Sequence, residues 1–243
     1  FVDMRIYQRY DWGRLARFHV LDDRQYRAYH ACARPGRGGS NSVTTRNCPD
    51  LRKPGRSMLG EEQQRWLQTG LDASPARWNI LAQQTLMAQS SQVPILRPGD
   101  ERIWTDGWDG YPLARQHLLD ALRSSKASNP LVLSGDVHTF YATELSRNAM
   151  RPTGKDNPVL ATEFCGTSIT SSSRPQARTE QYVAMNPHIR YGRSDKRGYM
   201  LMEITPEKTT TLFQGLENVR DSASGIATLA RFTVQDGKAG LQS

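Results

Sequence analysis

An aspartate and a histidine two residues apart, Asp136 and His138, follow a short apolar run in the segment LVLSGDVHT. At that spacing one carboxylate oxygen and one imidazole nitrogen can turn toward a common point where a strand opens into a loop, as two ligands of one metal ion would. Gly135 before them lets the backbone bend sharply or approach an ion closely. The carboxyl ends of strands are also where open α/β sheets bind ligands. The other reading is a hydrogen-bonded loop pair, since both side chains are costly to bury without a partner. Spacing leaves both readings open.

Further candidates are scattered. His188 and Arg190 lie in NPHIR, where Pro187 stiffens the approach and the group could bind a phosphate or donate a proton; a surface turn is the plainer alternative. Asp106 and Asp109 bracket Trp108 in DGWDGYP and could ligate a metal, although capping of a helix that begins near Pro112 is favoured. Arg24 and Arg27 follow Asp22-Asp23 and are expected to pair with those carboxylates at a strand end. His19 on a strand and His117 on a helix read as structural, and His30 has no evident role. GxSxG, HExxH, P-loop and GxGxxG patterns are absent, so neither a serine hydrolase nor a nucleotide-cofactor enzyme is supported.

The elements that must position these residues can be sketched from periodicity. Leu131-Val132-Leu133 reads as a central strand, being wholly apolar. Short strands are expected at 4–7 and 17–21, joined by a turn at Asp11-Trp12-Gly13, and another at 78–82. The Pro-, Gly-, Ser- and Asn-rich residues 33–56 read as loop. A helix from Gly60 to Thr69 has acidic residues in its first turn and Gly70 placed to end it. A second helix starts at Pro112 with Ala114, Leu118 and Leu122 as its apolar stripe. Later strands are expected at 140–145, 159–164, 199–204, 209–213 and 227–234, with a hairpin turn at Thr205-Pro206-Glu207-Lys208. The order fits a layered α/β architecture with no clear domain boundary.

Composition bounds the function classes. The 243 residues carry a net charge of +8, and residues 1–60 hold 12 Lys/Arg against 5 Asp/Glu. Such a surface attracts polyanions, but the arginines alternate with apolar residues instead of forming a block, so specific nucleic-acid binding gains little support. No stretch approaches the roughly 18 apolar residues that would span a membrane. The chain opens Phe1-Val2-Asp3, with neither a start methionine nor a signal-peptide pattern. Of three cysteines, Cys32 and Cys48 flank the flexible stretch and could be bridged or remain free thiols; Cys165 sits in an apolar run. No spacing suits a structural zinc site.

Taken together, the segments LDDRQYR, SMLGEEQQRWL, WNILAQQ, DGWDGYP, LSGDVHT, EFCGTSITSS, NPHIRY and RGYMLMEITPE resemble, in order, the alkaline phosphatase D (PhoD-like) family of metallophosphatases. The resemblance runs from near the first residue to the late hairpin. It implies part of a calcineurin-like, four-layer α/β fold with two packed mixed sheets flanked by helices. It also implies hydrolysis of phosphate mono- and diesters through a metal-bound hydroxide, with iron and calcium as the expected cofactors and other divalent metals as alternatives. Asp136 and His138 inherit a metal-site role, Gln84 of the AQQ block is a weaker metal candidate, and His188 with Arg190 would assist at the phosphate. Family members are typically exported, which implies a periplasmic or secreted location and favours the Cys32–Cys48 bridge. The family's GDxxY and DDHE motifs do not occur here. The chain therefore resembles the C-terminal portion of the catalytic domain over 1–243, with its N-terminal part missing and activity in isolation in doubt. Two rivals are a non-catalytic basic module that binds polyanions and an inactive fragment.

Overall fold

In the computed structural model residues 4–36 and 39–242 are described. The opening residues 1–3, and residues 37–38 of the expected 33–56 loop, lie outside the described residues.

The apolar run at 131–133 forms the middle of strand β6 (Pro130–Gly135), and Leu131 and Val132 are fully buried. It lies in a seven-stranded mixed sheet with β1 (Gln8–Trp12), β2 (Ala16–Val20), β4 (Trp78–Thr85), β7 (Phe140–Ser146), β8 (Val159–Cys165) and β9 (Ile189–Arg193), in the order β1-β2-β4-β6-β8-β7-β9. The four strands β2, β4, β6 and β8 run parallel, and their carboxyl ends open on one edge. β3 (Ser42–Thr44) and β5 (Arg102–Trp104) make a small separate ribbon.

Side chains alternate across the sheet, so each face meets a different layer. One face carries Leu81 and Val132 beneath helices α1 (Gly60–Asp72) and α2 (Pro112–Ser124), which contribute Leu67, Leu71, Leu118 and Leu122. Burying each of these leucines stabilises the fold by about 1.5–3 kcal/mol. The opposite face presents Trp78, Ile80, Phe140 and Phe164 to Phe213 and Val234 of a three-stranded antiparallel sheet, β10 (Arg197–Ile204), β11 (Lys208–Leu216) and β12 (Ile226–Gln235). Phe140 and Phe213 stack with ring centroids 4.8 Å apart. The protein is thus a mixed α/β structure with a large sheet, flanking helices and a second small sheet. A third helix, α3 (Gln176–Met185), packs beside β9.

Several expectations need correcting. Residues 4–7 are not a strand; the first strand is the polar Gln8–Trp12, an edge strand held by its register with β2 and not by apolar alternation. Helix α1 runs through Gly70 to Asp72. Gly70 serves a different purpose: a Cβ there would sit 1.8 Å from the Arg9 guanidinium, which crosses the helix to donate to the Trp66 carbonyl. Residues 33–56 are not all loop, since β3 and two short 3-10 turns at Thr45–Asn47 and Pro49–Arg52 lie among them. α3 and β9 were not expected at all.

Candidate active site

β6 ends at Gly135, which pairs with Thr85 of β4, and the chain then turns through Asp136 (φ 68°) and His138 (φ 55°). Two non-glycine residues in the left-handed region within three positions cost of order 1 kcal/mol or more each and persist only where the surroundings enforce them. Here they are enforced. The Thr167 hydroxyl donates to the His138 carbonyl at 3.0 Å, and the buried Arg197 guanidinium donates to it at 3.2 Å while also reaching Ser168 and the Ser171 carbonyl. Beneath the turn, fully buried Glu163 accepts from the Ser134 hydroxyl and from the N–H groups of Met87 and Ala88 at 2.7–2.8 Å. Burial pushes the Glu163 carboxyl up, and those donors oppose it.

The loop after β2 supplies the opposite wall. Arg24 bridges two carboxylates, Asp106 at 2.9 Å and Asp136 at 3.2 Å, and Arg27 and His30 each lie 3.2 Å from Asp106. Burial raises the Asp106 carboxyl, but Arg24 and Arg27 outweigh it and leave it below the ordinary range. Arg24 keeps the expected ion pair with Asp23, at 3.6 Å, and adds the two across the site, whereas Arg27 pairs with Asp106 and not with Asp22-Asp23. The expected helix cap is also absent. Tyr111 occupies the cap position of α2 without a side-chain bond, while Asp109 binds Arg115 and the Ser90 N–H. His30, which had no evident role, belongs to this cluster.

Between the walls lies a cavity of about 320 Å³, lined by Asp136, Asp106, Trp104, Tyr141, Arg174 and Tyr182 among others. Arg174 lies over the Tyr182 ring, 4.7 Å from its centroid, and brings a guanidinium to the cavity from the segment before α3. Gln84 is held beside this region: it accepts the Asp23 N–H and donates to the Leu21 carbonyl, both at 2.8 Å. His138 has its Nδ1 2.9 Å from the Ser172 carbonyl. A carbonyl can only accept, so in the neutral ring Nδ1 carries the proton and Nε2 keeps a lone pair, the arrangement found in metal-ligating histidines. Among the described residues, however, no group of three or more His, Cys, Asp or Glu could hold a metal ion. Asp136 and His138 offer donors of a suitable kind, but two donors do not complete a cation site.

His188 and Arg190 are not brought to this cavity. His188 is buried, its Nε2 2.7 Å from the Gln89 carbonyl, and it lines a different cavity; Arg190 is exposed on β9. His19 is buried on β2 and His117 is exposed on α2, and neither lines this cavity. The basic first quarter is largely used internally: Arg9, Arg17, Arg46 and Arg56 bind Trp66, Asp11, Asp100 and the Tyr29 carbonyl. Cys32 and Cys48 are bridged, with Cα atoms 6.0 Å apart, and Cys165 is buried and free. Among the described residues no helix is long and apolar enough to cross a membrane.

This mixed α/β fold, with its large sheet and flanking helices, is that of a phosphatase family. The chain belongs to the PhoD-like phosphatase family, whose model matches residues 2–213. It is 34% identical to alkaline phosphatase D of Bacillus subtilis (strain 168) over 247 residues, covering 99% of this chain and 39% of that protein. A solved structure described as the structure of PhoD superposes with a TM-score of 0.85 at 33% identity, covering 99% of this chain and 44% of that one. The chain thus spans about two fifths of the length of the relatives it matches.

Proposed function

We propose that this chain is the C-terminal portion of a metal-dependent phosphoesterase that hydrolyses phosphate mono- or diesters. The observation that carries the reading is the enforced turn at 135–138, which spends backbone strain to bring Asp136 to the cavity with His138 two residues on. In this reading Asp136 and His138 donate to a cation, iron or calcium by family likeness, and Gln84 lies within the same region. A bound cation would supply positive charge for the phosphate oxygens. Arg24 holds the Asp136 carboxylate in place, and Arg174 offers a guanidinium to a phosphate ester entering the cavity. The remaining ligands come from a part of the protein other than this chain. That part would also complete a four-layer fold by covering the outer face of the small sheet, where Tyr199 and Leu201 are about half exposed. The Cys32–Cys48 bridge supports an oxidising, periplasmic or secreted location. His188 and Arg190, facing elsewhere, take no direct part.

The test is hydrolysis of bis(p-nitrophenyl) phosphate and p-nitrophenyl phosphate by the longer protein. His138→Ala should lower kcat by at least about a hundredfold and reduce bound metal, as loss of a ligand or its support does. Retention of full activity and metal content in that variant would sink the assignment.

A further inference from the structure

Glu163 of β8 is a fully buried carboxylate that lies outside the cavity beside Asp136. In the register of the large sheet it stands between Val132 of β6 and Thr143 of β7. A carboxylate is costly to bury without partners, and this one has four. One oxygen accepts from the Ser134 hydroxyl and the Met87 N–H, both at 2.7 Å. The other accepts from the Ala88 N–H at 2.8 Å and the Thr143 hydroxyl at 3.3 Å.

Three of these donors belong to two different walls of the cavity. Ser134 lies near the end of β6, two positions before Asp136. Met87 and Ala88 follow β4, which ends at Thr85, so the chain has left the sheet there and its N–H groups need a partner other than a strand. Leu86 and Ala88 line the cavity from that segment, and Asp136 lines it from the turn. The Met87 carbonyl is held as well, by Arg115 at 3.2 Å. One buried side chain thus takes the place of a strand partner for the first wall and clamps it to the root of the second.

We propose that Glu163 is a positioning residue of the candidate active site. It sets the separation between Asp136 and the 86–88 wall by holding Ser134 and two successive amides on one carboxylate. This role rests on the hydrolytic reading, because the separation affects a rate only where a reaction runs between the two walls.

The donors dictate the substitutions. Each oxygen faces one hydroxyl, which can reverse its role, and one backbone N–H, which cannot. Glu163→Gln therefore turns its NH2 group against either the Met87 or the Ala88 N–H, whichever way it lies, and releases one of them. Ser134→Ala cuts the link to the Asp136 turn alone. Thr143→Val removes a donor that belongs neither to the turn nor to the 86–88 segment.

The three variants are compared in the longer protein with bis(p-nitrophenyl) phosphate. Glu163→Gln should lower kcat by about tenfold or more while moving KM by less than about twofold. Ser134→Ala should lower kcat by about threefold to tenfold, and Thr143→Val should stay within about twofold of the parent. A second measurement needs no turnover: the EDTA concentration that removes half of the bound metal should fall by about tenfold in Glu163→Gln and be unchanged in Thr143→Val. A part confined to core packing would instead lower melting temperatures and leave the kcat of the folded variants alone. The proposal is overturned if folded Glu163→Gln keeps the parent's kcat or gives up its metal at the parent's EDTA concentration. It is equally overturned if Ser134→Ala and Thr143→Val change kcat alike, and that pair decides the matter should Glu163→Gln not fold. Full activity in His138→Ala brings down the hydrolytic reading and this role with it, whereas a damaged His138→Ala beside a silent Glu163→Gln removes the positioning role alone.

Discussion

His19, on β2, and Asp23, just beyond it, are both fully buried and respond to acid in opposite senses. Burial drives the His19 imidazole down to about 4, so as pH falls the unfolded chain takes that proton first; stability from this residue is complete above 6.5 and is lost on the way to 4. Burial pushes the Asp23 carboxyl up to about 6, Arg24 opposing, so here the folded chain takes the proton first and stability is gained as pH falls from 6 to 3.8. Each contribution is of order 3 kcal/mol, and over the shared range they offset one another. Relative to the parent, His19→Phe should therefore gain thermal stability on acidification from pH 6.5 to 4, and Asp23→Asn should lose it. Melting curves across that range check both; parallel pH profiles for all three proteins would show that neither residue titrates as its burial requires.

At the scale of elements, the turn from Thr105 to Gly110 is what carries Asp106 to Arg24 and Asp109 to Arg115. Its closure depends on Gly110, where an added Cβ would lie 2.1 Å from the Thr105 carbonyl oxygen, a backbone atom that cannot swing aside. Gly110→Ala should cost about 2 kcal/mol or more, while Gly154→Ala, with open space around it, should be neutral. Urea unfolding of the two variants makes the comparison; equal midpoints would mean that the turn relaxes freely. The same turn shows where sequence reading stops. The Asp-x-His pair was legible because its two donors are close in sequence and follow an apolar strand. The bond from Arg24 to Asp106 spans 82 positions, and nothing local marks either residue as the other's partner. α1 and α2 announced themselves through apolar stripes. α3 did not, because it buries Thr179 and Tyr182 in place of a run of aliphatics.

For the whole molecule, the bridge between Cys32 and Cys48 fastens the β3 segment to the loop that presents Arg24, Arg27 and His30. Asn41 reinforces it, donating its side-chain amide to the Cys32 carbonyl and its backbone N–H to the Thr105 hydroxyl oxygen. A loop with a sequence separation of 16 is worth about 3 kcal/mol on the chain-entropy model. In a chain of this length that corresponds to a melting temperature lower by about 6–12 °C in Cys32→Ser/Cys48→Ser. Differential scanning calorimetry reads it directly, and an unchanged melting temperature would show that the loop is ordered without its bridge.

Cys165 lies at the end of β8, fully buried, with burial pushing its thiol far above the ordinary range. A thiol that cannot ionise cannot attack a disulfide, so the native protein is safe from exchange even though its cysteine count is odd. The unfolded chain has no such protection, because all three sulfurs are then equally accessible and two of the three possible bridges are wrong. Production from denatured material would consequently succeed best when the strands are allowed to assemble under reducing conditions and oxidant is admitted afterwards.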